Sequence, residues 1–216
     1  MKKTKIFFIT GTDTDIGKTY VSALLYKGLK NYGCDYYKPV QSGAKSILTS
    51  DVGFVSNFNK IIPQEKMCTY SFKEPVSPHL ASEISGVNID LKKILEYFSI
   101  EKENFTLVEG AGGLYTPLVR NKIYIFNLIK LLDLPVIVVC STKIGTINHT
   151  MLTIEFLKNK NIKIHSIIFN NYTSQFYETD NIKVILEESK IKNFLIVKKD
   201  QKSIPLEEIN KIFNIK

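Results

Sequence analysis

Gly11-Thr12-Asp13-Thr14-Asp15-Ile16-Gly17-Lys18-Thr19 decides how this chain is read. The nonapeptide follows an apolar run, Lys5–Thr10, and leads into a helical pattern, Lys18–Tyr32. A strand, a glycine loop and a helix in that order are what a phosphate-binding P-loop requires. The glycines let the backbone curl until its N–H groups point inward at phosphate oxygens, and the helix N-terminus adds partial positive charge. Lys18 is then placed to reach the outer phosphates, and the Thr19 hydroxyl to ligate Mg²⁺. The spacing is irregular: five residues separate the two glycines, where the generic pattern has four.

Outward from the loop, short runs rich in Ile, Val, Phe and Tyr recur at Asp35–Val40, Phe105–Glu109, Leu134–Cys140, Ile162–Phe169 and Phe194–Val197. Such runs suit strands buried on both faces. Helical patterns alternate with them near Asp90–Phe98, Ile123–Leu132, Asn148–Asn159 and Asp180–Glu188, with Asp90 as an N-cap. This alternation predicts an α/β fold: a mostly parallel sheet with right-handed crossovers and helices on both faces. No repeat, linker or low-complexity block interrupts it, so residues 1–216 read as a single domain. Ligands of such sheets bind beyond the carboxyl ends of the strands. The chemically distinctive residues lie there: Lys38 to Ser42 close the second run, Glu109–Gly113 follow the third, and Asn170 and Asn171 follow the fifth.

The 216 residues are 44% hydrophobic, enough for one real core and against disorder. The net charge of +8 comes mostly from scattered lysines, with no tight basic run interleaved with aromatics, so no nucleic-acid partner is expected. The start, Met1 to Ile9, is basic and then apolar, but it runs into Gly11-Thr12-Asp13 without a cleavage pattern and does not read as a leader. No apolar stretch is long enough to span a membrane, so a cytoplasmic protein is expected. Cys34, Cys68 and Cys140 are widely spaced and odd in number, which argues against a disulfide framework. His79, His149 and His165 add no metal-ligand spacing to them.

Two carboxylates are candidates for the oxygen ligands that Mg²⁺ prefers. Glu109 ends a buried run and precedes Gly110-Ala111-Gly112-Gly113, small residues that allow close approach of a phosphate or backbone. Asp51, in Thr49-Ser50-Asp51, reads in isolation as an ordinary helix N-cap. Lys38 ends a strand ahead of Pro39, where it can neutralise charge on a transferring phosphoryl group; an exposed surface lysine fits the same pattern.

Taken together, Gly11–Thr19, Tyr37-Lys38-Pro39-Val40-Gln41-Ser42-Gly43 and Val108-Glu109-Gly110-Ala111-Gly112-Gly113 resemble the signatures of the dethiobiotin synthetase family. Pro75-Val76-Ser77-Pro78-His79, Tyr115-Thr116-Pro117-Leu118 and Gly145-Thr146-Ile147-Asn148-His149 add to the resemblance, which spans residues 5–171. The five-residue spacing in the loop is that of the family. The resemblance implies a P-loop NTPase-like fold and an ATP- and Mg²⁺-dependent ring closure of 7,8-diaminononanoate with CO₂, through a carbamate and a phosphorylated carbamate. It implies catalytic roles for Lys18 and Lys38, and metal contacts from Thr19, Asp51 and Glu109. The nucleotide would be held by Asp15, Ile16, Gly17, Lys18, Thr19, Tyr20, Asp51, Glu109, Gly110, Ala111 and Gly112, with Asn170 and Asn171 on the adenine. Thr14, Lys38, Ser42 and Asn148 would contact the substrate, Asn148 from the second subunit of a homodimer.

The C-terminal part departs from the family, which has a Gly-x-Ile-Pro-type turn after its last strand. Here Phe194–Val197 runs into Lys198-Lys199-Asp200-Gln201, a polar stretch expected to be mobile. Readout of the base is then expected to be weak, with triphosphates discriminated within roughly one order of magnitude in kcat/KM. Two other P-loop classes fit less well. An amidase-type synthetase typically carries a glutaminase domain, and no Cys/His pair of that character is expected among Cys34, Cys68, Cys140 and the three histidines. A partitioning or cell-division ATPase has an early second lysine in its loop, absent from positions 11–17.

Overall fold

The computed structural model describes residues 5–99 and 103–215; the first four residues, part of the basic start weighed as a leader, lie outside them. Ile6–Gly11 forms β1, and its five residues after Ile6 are all buried. The chain then alternates: α1 (Lys18–Leu29), β2 (Cys34–Gln41), α2 (Asp51–Asn59), β3 (Cys68–Ser71), α3 (Pro78–Ser85), α4 (Leu91–Glu96) and β4 (Phe105–Glu109). A small antiparallel pair, β5 (Pro117–Val119) with β6 (Ile123–Tyr124), precedes α5 (Ile125–Leu132). The remainder is β7 (Val136–Ser141), α6 (Thr146–Asn159), β8 (Ile164–Tyr172), α7 (Phe176–Ser189), β9 (Phe194–Lys198) and α8 (Leu206–Phe213).

Seven of these strands make one sheet in the order β3-β2-β4-β1-β7-β8-β9, and every pairing in it is parallel. Alternation along β1 sends Phe7 and Ile9 to one face, where they cluster with Leu24 and Leu25 of α1 and Ile209 and Ile212 of α8. Phe8 faces the other way, into a cluster with Ile94 of α4 and Leu128 and Ile129 of α5. Each such side chain contributes about 1.5–3 kcal/mol on burial, which is why both faces of a parallel sheet must be covered.

The expected strands and helices are all present, with ends shifted by physical causes. The first helix stops at Leu29 rather than Tyr32, because Lys30–Tyr32 tightens into a 3₁₀ turn ahead of Gly33 (φ 74°). The fifth helix starts at Ile125 because Ile123 and Tyr124 pair with β5. The seventh starts at Phe176, where Glu178 accepts from the Gln175 N–H at 2.8 Å. Asp90 caps α4 as expected, accepting from the Lys92 N–H at 2.9 Å. Among the described residues no helix is long and apolar enough to cross a membrane.

Candidate active site

The parallel order brings the carboxyl ends of β1, β2 and β4 side by side, and the site is built on them. The glycine loop leaves β1 and enters α1 through Gly17, whose φ of 91° is the left-handed conformation glycine tolerates. A Cβ at Gly17 would also come within 2.1 Å of the Asn170 amide nitrogen, so a side chain there would have to displace that amide. Lys18 folds back over the loop and donates to the Asp13 carbonyl at 3.0 Å. Burial, and then the neighbouring Lys38 ammonium, pull the Lys18 pKa down to about 8.

Lys38 is 3% exposed, so the surface-lysine reading is corrected. Its ammonium lies 2.6 Å from Asp51 Oδ2 and 2.9 Å from Glu109 Oε1, and donates to the Gly110 carbonyl at 3.0 Å. Burial alone would lower the Lys38 pKa, but Glu109 and Asp51 together outweigh it and hold it above its usual value. Asp51 behaves conversely. Burial would raise its carboxyl, while Lys38, Thr19 and Lys18 hold it below the usual carboxylate range. Its N-cap reading is also corrected: Ser50 caps α2, accepting from the Gly53 N–H at 3.2 Å, and Asp51 is the first helical residue. Its own N–H donates to Gln41 Oε1 at 3.0 Å.

Glu109 is fully buried and accepts from Thr19 Oγ1 at 2.8 Å. The Thr19 hydroxyl is also within hydrogen-bonding reach of the Asp51 carboxylate. Two carboxylates and a hydroxyl thus converge around a point where the protein already holds a cation. That all-oxygen set fits Mg²⁺, which takes few protein ligands and keeps several waters. No third acidic, His or Cys side chain joins it among the described residues.

A cavity of about 940 Å³ opens over this cluster. Its P-loop end is lined by Thr14, Asp15, Gly17, Lys18, Thr19 and Tyr20, its centre by Lys38, Asp51, Glu109, Ala111 and Gly112, and its far end by Ser42 and the Pro75–Pro78 segment. A second cavity of about 310 Å³ lies across the loop, lined by Asp15, Ile16, Tyr20, Lys143, Asn170, Asn171 and Lys198 to Asp200. Every expected nucleotide-side residue therefore falls on one of the two cavities or, for Gly110, bonds Lys38. Asn148 does not. It is exposed on the first turn of α6 and lines neither cavity within one chain.

The expectation of a mobile stretch after the last strand is corrected. Lys198 N–H donates to Gln201 Oε1 at 2.8 Å, Lys199 N–H to the Tyr172 carbonyl at 2.9 Å, and the Tyr20 hydroxyl to the Gln201 carbonyl. These bonds pin the turn beside Asn170, whose Nδ2 donates to the Ile16 carbonyl at 3.0 Å. Its buried Oδ1 has no partner among the described residues. An Ile-Pro pair does follow the turn, as Ile204-Pro205, with Ile204 buried and Pro205 preceding α8.

Sequence reasoning missed Ser22 and Tyr36, which bond the second oxygen of Glu109 at 2.7 and 2.9 Å. Both had a periodic signal. Ser22 sits one helical turn after Lys18, and Tyr36 two residues before Lys38 on the same strand face.

Known proteins resemble the chain at two levels. A family described as an AAA domain matches residues 5–205. The ATP-dependent dethiobiotin synthetase BioD of Fusobacterium nucleatum is 53% identical over 98% of this chain and 100% of its own length. The enzyme of the same name from Clostridium botulinum strain Alaska E43 is 39% identical over 96% and 97%. Among solved structures, a plasmid partition protein from Borrelia burgdorferi superposes with a TM-score of 0.56 at 15% identity, covering 99% of this chain and 98% of that one. MinD from Aquifex aeolicus gives 0.56 at 12% identity, covering 98% and 95%. Likeness at that identity shows the fold alone.

Proposed function

The chain belongs to the ATP-dependent dethiobiotin synthetase family, and on that premise we propose that it closes the ureido ring of dethiobiotin on 7,8-diaminononanoate with CO₂, as an ATP-dependent ligase. The observation that carries this reading is the juxtaposition of Lys18, Lys38, Asp51 and Glu109 at the centre of one cavity, between the phosphate loop and Ser42. ATP phosphates lie at the loop end, and the diamine and its carbamate at the end bordered by Ser42 and Pro75–Pro78. Both reacting groups are anionic, so each is drawn to the α1 N-terminus and to the two ammonium groups.

The chain's own residues then act mainly by position and charge. One amine captures CO₂ to give a carbamate, which Lys38 and Lys18 orient in line with the γ-phosphoryl group. Phosphoryl transfer gives a mixed anhydride, and the second amine attacks its carbonyl, closes the ring and expels phosphate. Negative charge on the transferring group grows beside Lys18 and Lys38. Thr19, Asp51 and Glu109 would hold Mg²⁺, which supplies further positive charge to the phosphates when bound.

The homodimer belongs to the same proposal. Asn148 lies outside both cavities of its own chain, so it serves a substrate only across an interface. What supports an interface there is the exposed apolar surface around it: Ile144 and Leu152 flank it on α6 and its preceding loop, and the exposed Tyr115 packs at a tilt against Phe156 of the same helix. Incubating the protein with diaminononanoate, bicarbonate and MgATP tests the reading. Dethiobiotin should appear in step with ADP, and ATP turnover without any dethiobiotin would overturn it.

A further inference from the structure

A carboxylate offers about four hydrogen-bonding positions, and all four on Glu109 are taken by protein donors. Oε1 receives Thr19 Oγ1 at 2.8 Å and Lys38 Nζ at 2.9 Å. Oε2 receives Ser22 Oγ at 2.7 Å and Tyr36 Oη at 2.9 Å. The two pairs differ in kind. Thr19 and Lys38 line the main cavity, whereas Ser22 and Tyr36 do not and are 0% and 1% exposed. The last torsion of a glutamate is broad and roughly two-fold, so an unanchored carboxylate swings. Here the oxygen turned away from the cavity is held by groups that no ligand reaches. The two donors are also unequal. The single Ser22 proton is shared with the Lys18 carbonyl at 2.8 Å, while the Tyr36 hydroxyl has, among the described residues, only Glu109 to donate to.

We propose that Tyr36, with Ser22, is a positioning residue of this site: the two hydroxyls lock the rear oxygen of Glu109 so that its front oxygen stays aimed at Thr19 and the metal–phosphate position. The inference rests on the reading of Thr19, Asp51 and Glu109 as the metal-side groups. It assigns β2 two tasks on one face, the Lys38 ammonium in front of Glu109 and the Tyr36 hydroxyl behind it.

The experiment measures ADP binding by calorimetry with and without Mg²⁺, together with the Mg²⁺ concentration that half-saturates dethiobiotin formation. It compares the parent, Tyr36→Phe, Ser22→Ala and Tyr37→Phe. Tyr37 is the control: it is an adjacent buried tyrosine whose hydroxyl bonds Thr69, on the opposite strand face. Losing a hydrogen bond to a charged acceptor should raise the half-saturating Mg²⁺ about tenfold in Tyr36→Phe and weaken Mg²⁺-dependent ADP binding alike. Metal-free ADP binding and the KM for diaminononanoate should stay within about twofold. Ser22→Ala should move the same quantities in the same direction by less, and Tyr37→Phe should leave them unchanged. A tyrosine that merely satisfies its own buried hydroxyl predicts a change in thermal stability with parental metal dependence; that result in Tyr36→Phe overturns the proposal. If Tyr36→Phe does not fold, parental metal dependence in Ser22→Ala overturns it. A parent whose ADP binding ignores Mg²⁺ sinks the metal reading first, and this inference with it.

Discussion

Lys38→Met keeps the unbranched shape of the side chain, one atom shorter, and removes the charge at the centre of the site. The ammonium uses three contacts, to Asp51 at 2.6 Å, Glu109 at 2.9 Å and the Gly110 carbonyl at 3.0 Å. Breaking a buried ion pair from one side costs about 3–5 kcal/mol, because the remaining charge is left buried. The lower end applies here. The Asp51 side chain is 29% exposed and relaxes toward water, while Glu109 keeps its bonds from Thr19, Ser22 and Tyr36. A loss of about 3 kcal/mol, measured by urea unfolding in EDTA, corresponds to a melting point lower by about 6–12 °C for a chain of this size. The pH dependence follows from Asp51. Its folded pKa is depressed in the parent, so its contribution is present above the ordinary carboxylate value and lost as pH falls through the folded one. The gap between parent and variant is therefore widest at neutral pH and narrows below about pH 4. Added Mg²⁺ should recover part of the lost stability by replacing the missing cation, while turnover stays at least about 100-fold down. A gap under about 0.5 kcal/mol at pH 7 would refute the reasoning, since it would mean the carboxylates do not depend on Lys38.

Lys18→Ala should cut turnover at least about 100-fold in steady-state assays, by removing a charge that clamps phosphate. In the parent, the free Lys18 pKa of about 8 should rise on nucleotide binding, so calorimetry at pH 8 in buffers of different ionisation enthalpy should report proton uptake, and affinity should fall above pH 8. If Asn170 Oδ1, which has no partner among the described residues, is the group that meets an exocyclic amino group of the base, an oxo group would be opposed there, and ATP should exceed GTP in kcat/KM by more than about tenfold. Equal values for the two would mean that the base is not read there. Sedimentation should give a species of about 49 kDa, twice the chain mass of 24.7 kDa; a fully active monomer would remove Asn148 from the substrate site.

The parts of the fold visible in the sequence are those whose signal is local. The glycine loop and Glu109 ahead of its glycines each declare themselves within ten residues, whereas the local pattern at Lys38 fits a surface lysine as well. Helix α2 does not declare itself: Gly53 lies in its first turn, Phe54 is exposed on it, and its nine residues carry no clean apolar stripe. That glycine is required because a Cβ would meet the Leu48 carbonyl at 2.2 Å, a tertiary fact. The four-residue edge strand β3 is too short to stand out, and α3, at eight residues, is little more than two turns. Helix α8 has a legible pattern, Ile209, Ile212 and Phe213 inward after Pro205, that strand–helix alternation alone does not seek out. Asp51 stays ambiguous in sequence, because a cap and a metal-side carboxylate use the same residue type, and only the Lys38 contact separates them. The pinned turn after β9 depends on bonds from Tyr20 and Tyr172, far away along the chain.

The place of β4 between β1 and β2 has a consequence for how the molecule is assembled. The first two strands to be synthesised are not neighbours; the strand that joins them arrives only with Phe105–Glu109. Pairings of such sequence separation close large loops before any contact rewards them, which slows the search. Until then Lys38 lacks its counter-ion from β4, and the facing edges of β1 and β2 are open to other chains. Insertion of β4 closes both edges and delivers Glu109 to Lys38 in the same event. Completion of the sheet centre and delivery of the second carboxylate to Lys38, beside Asp51, thus fall together, and a nascent chain halted before Glu109 holds the phosphate loop but neither the complete sheet nor the full charge balance that the loop works with.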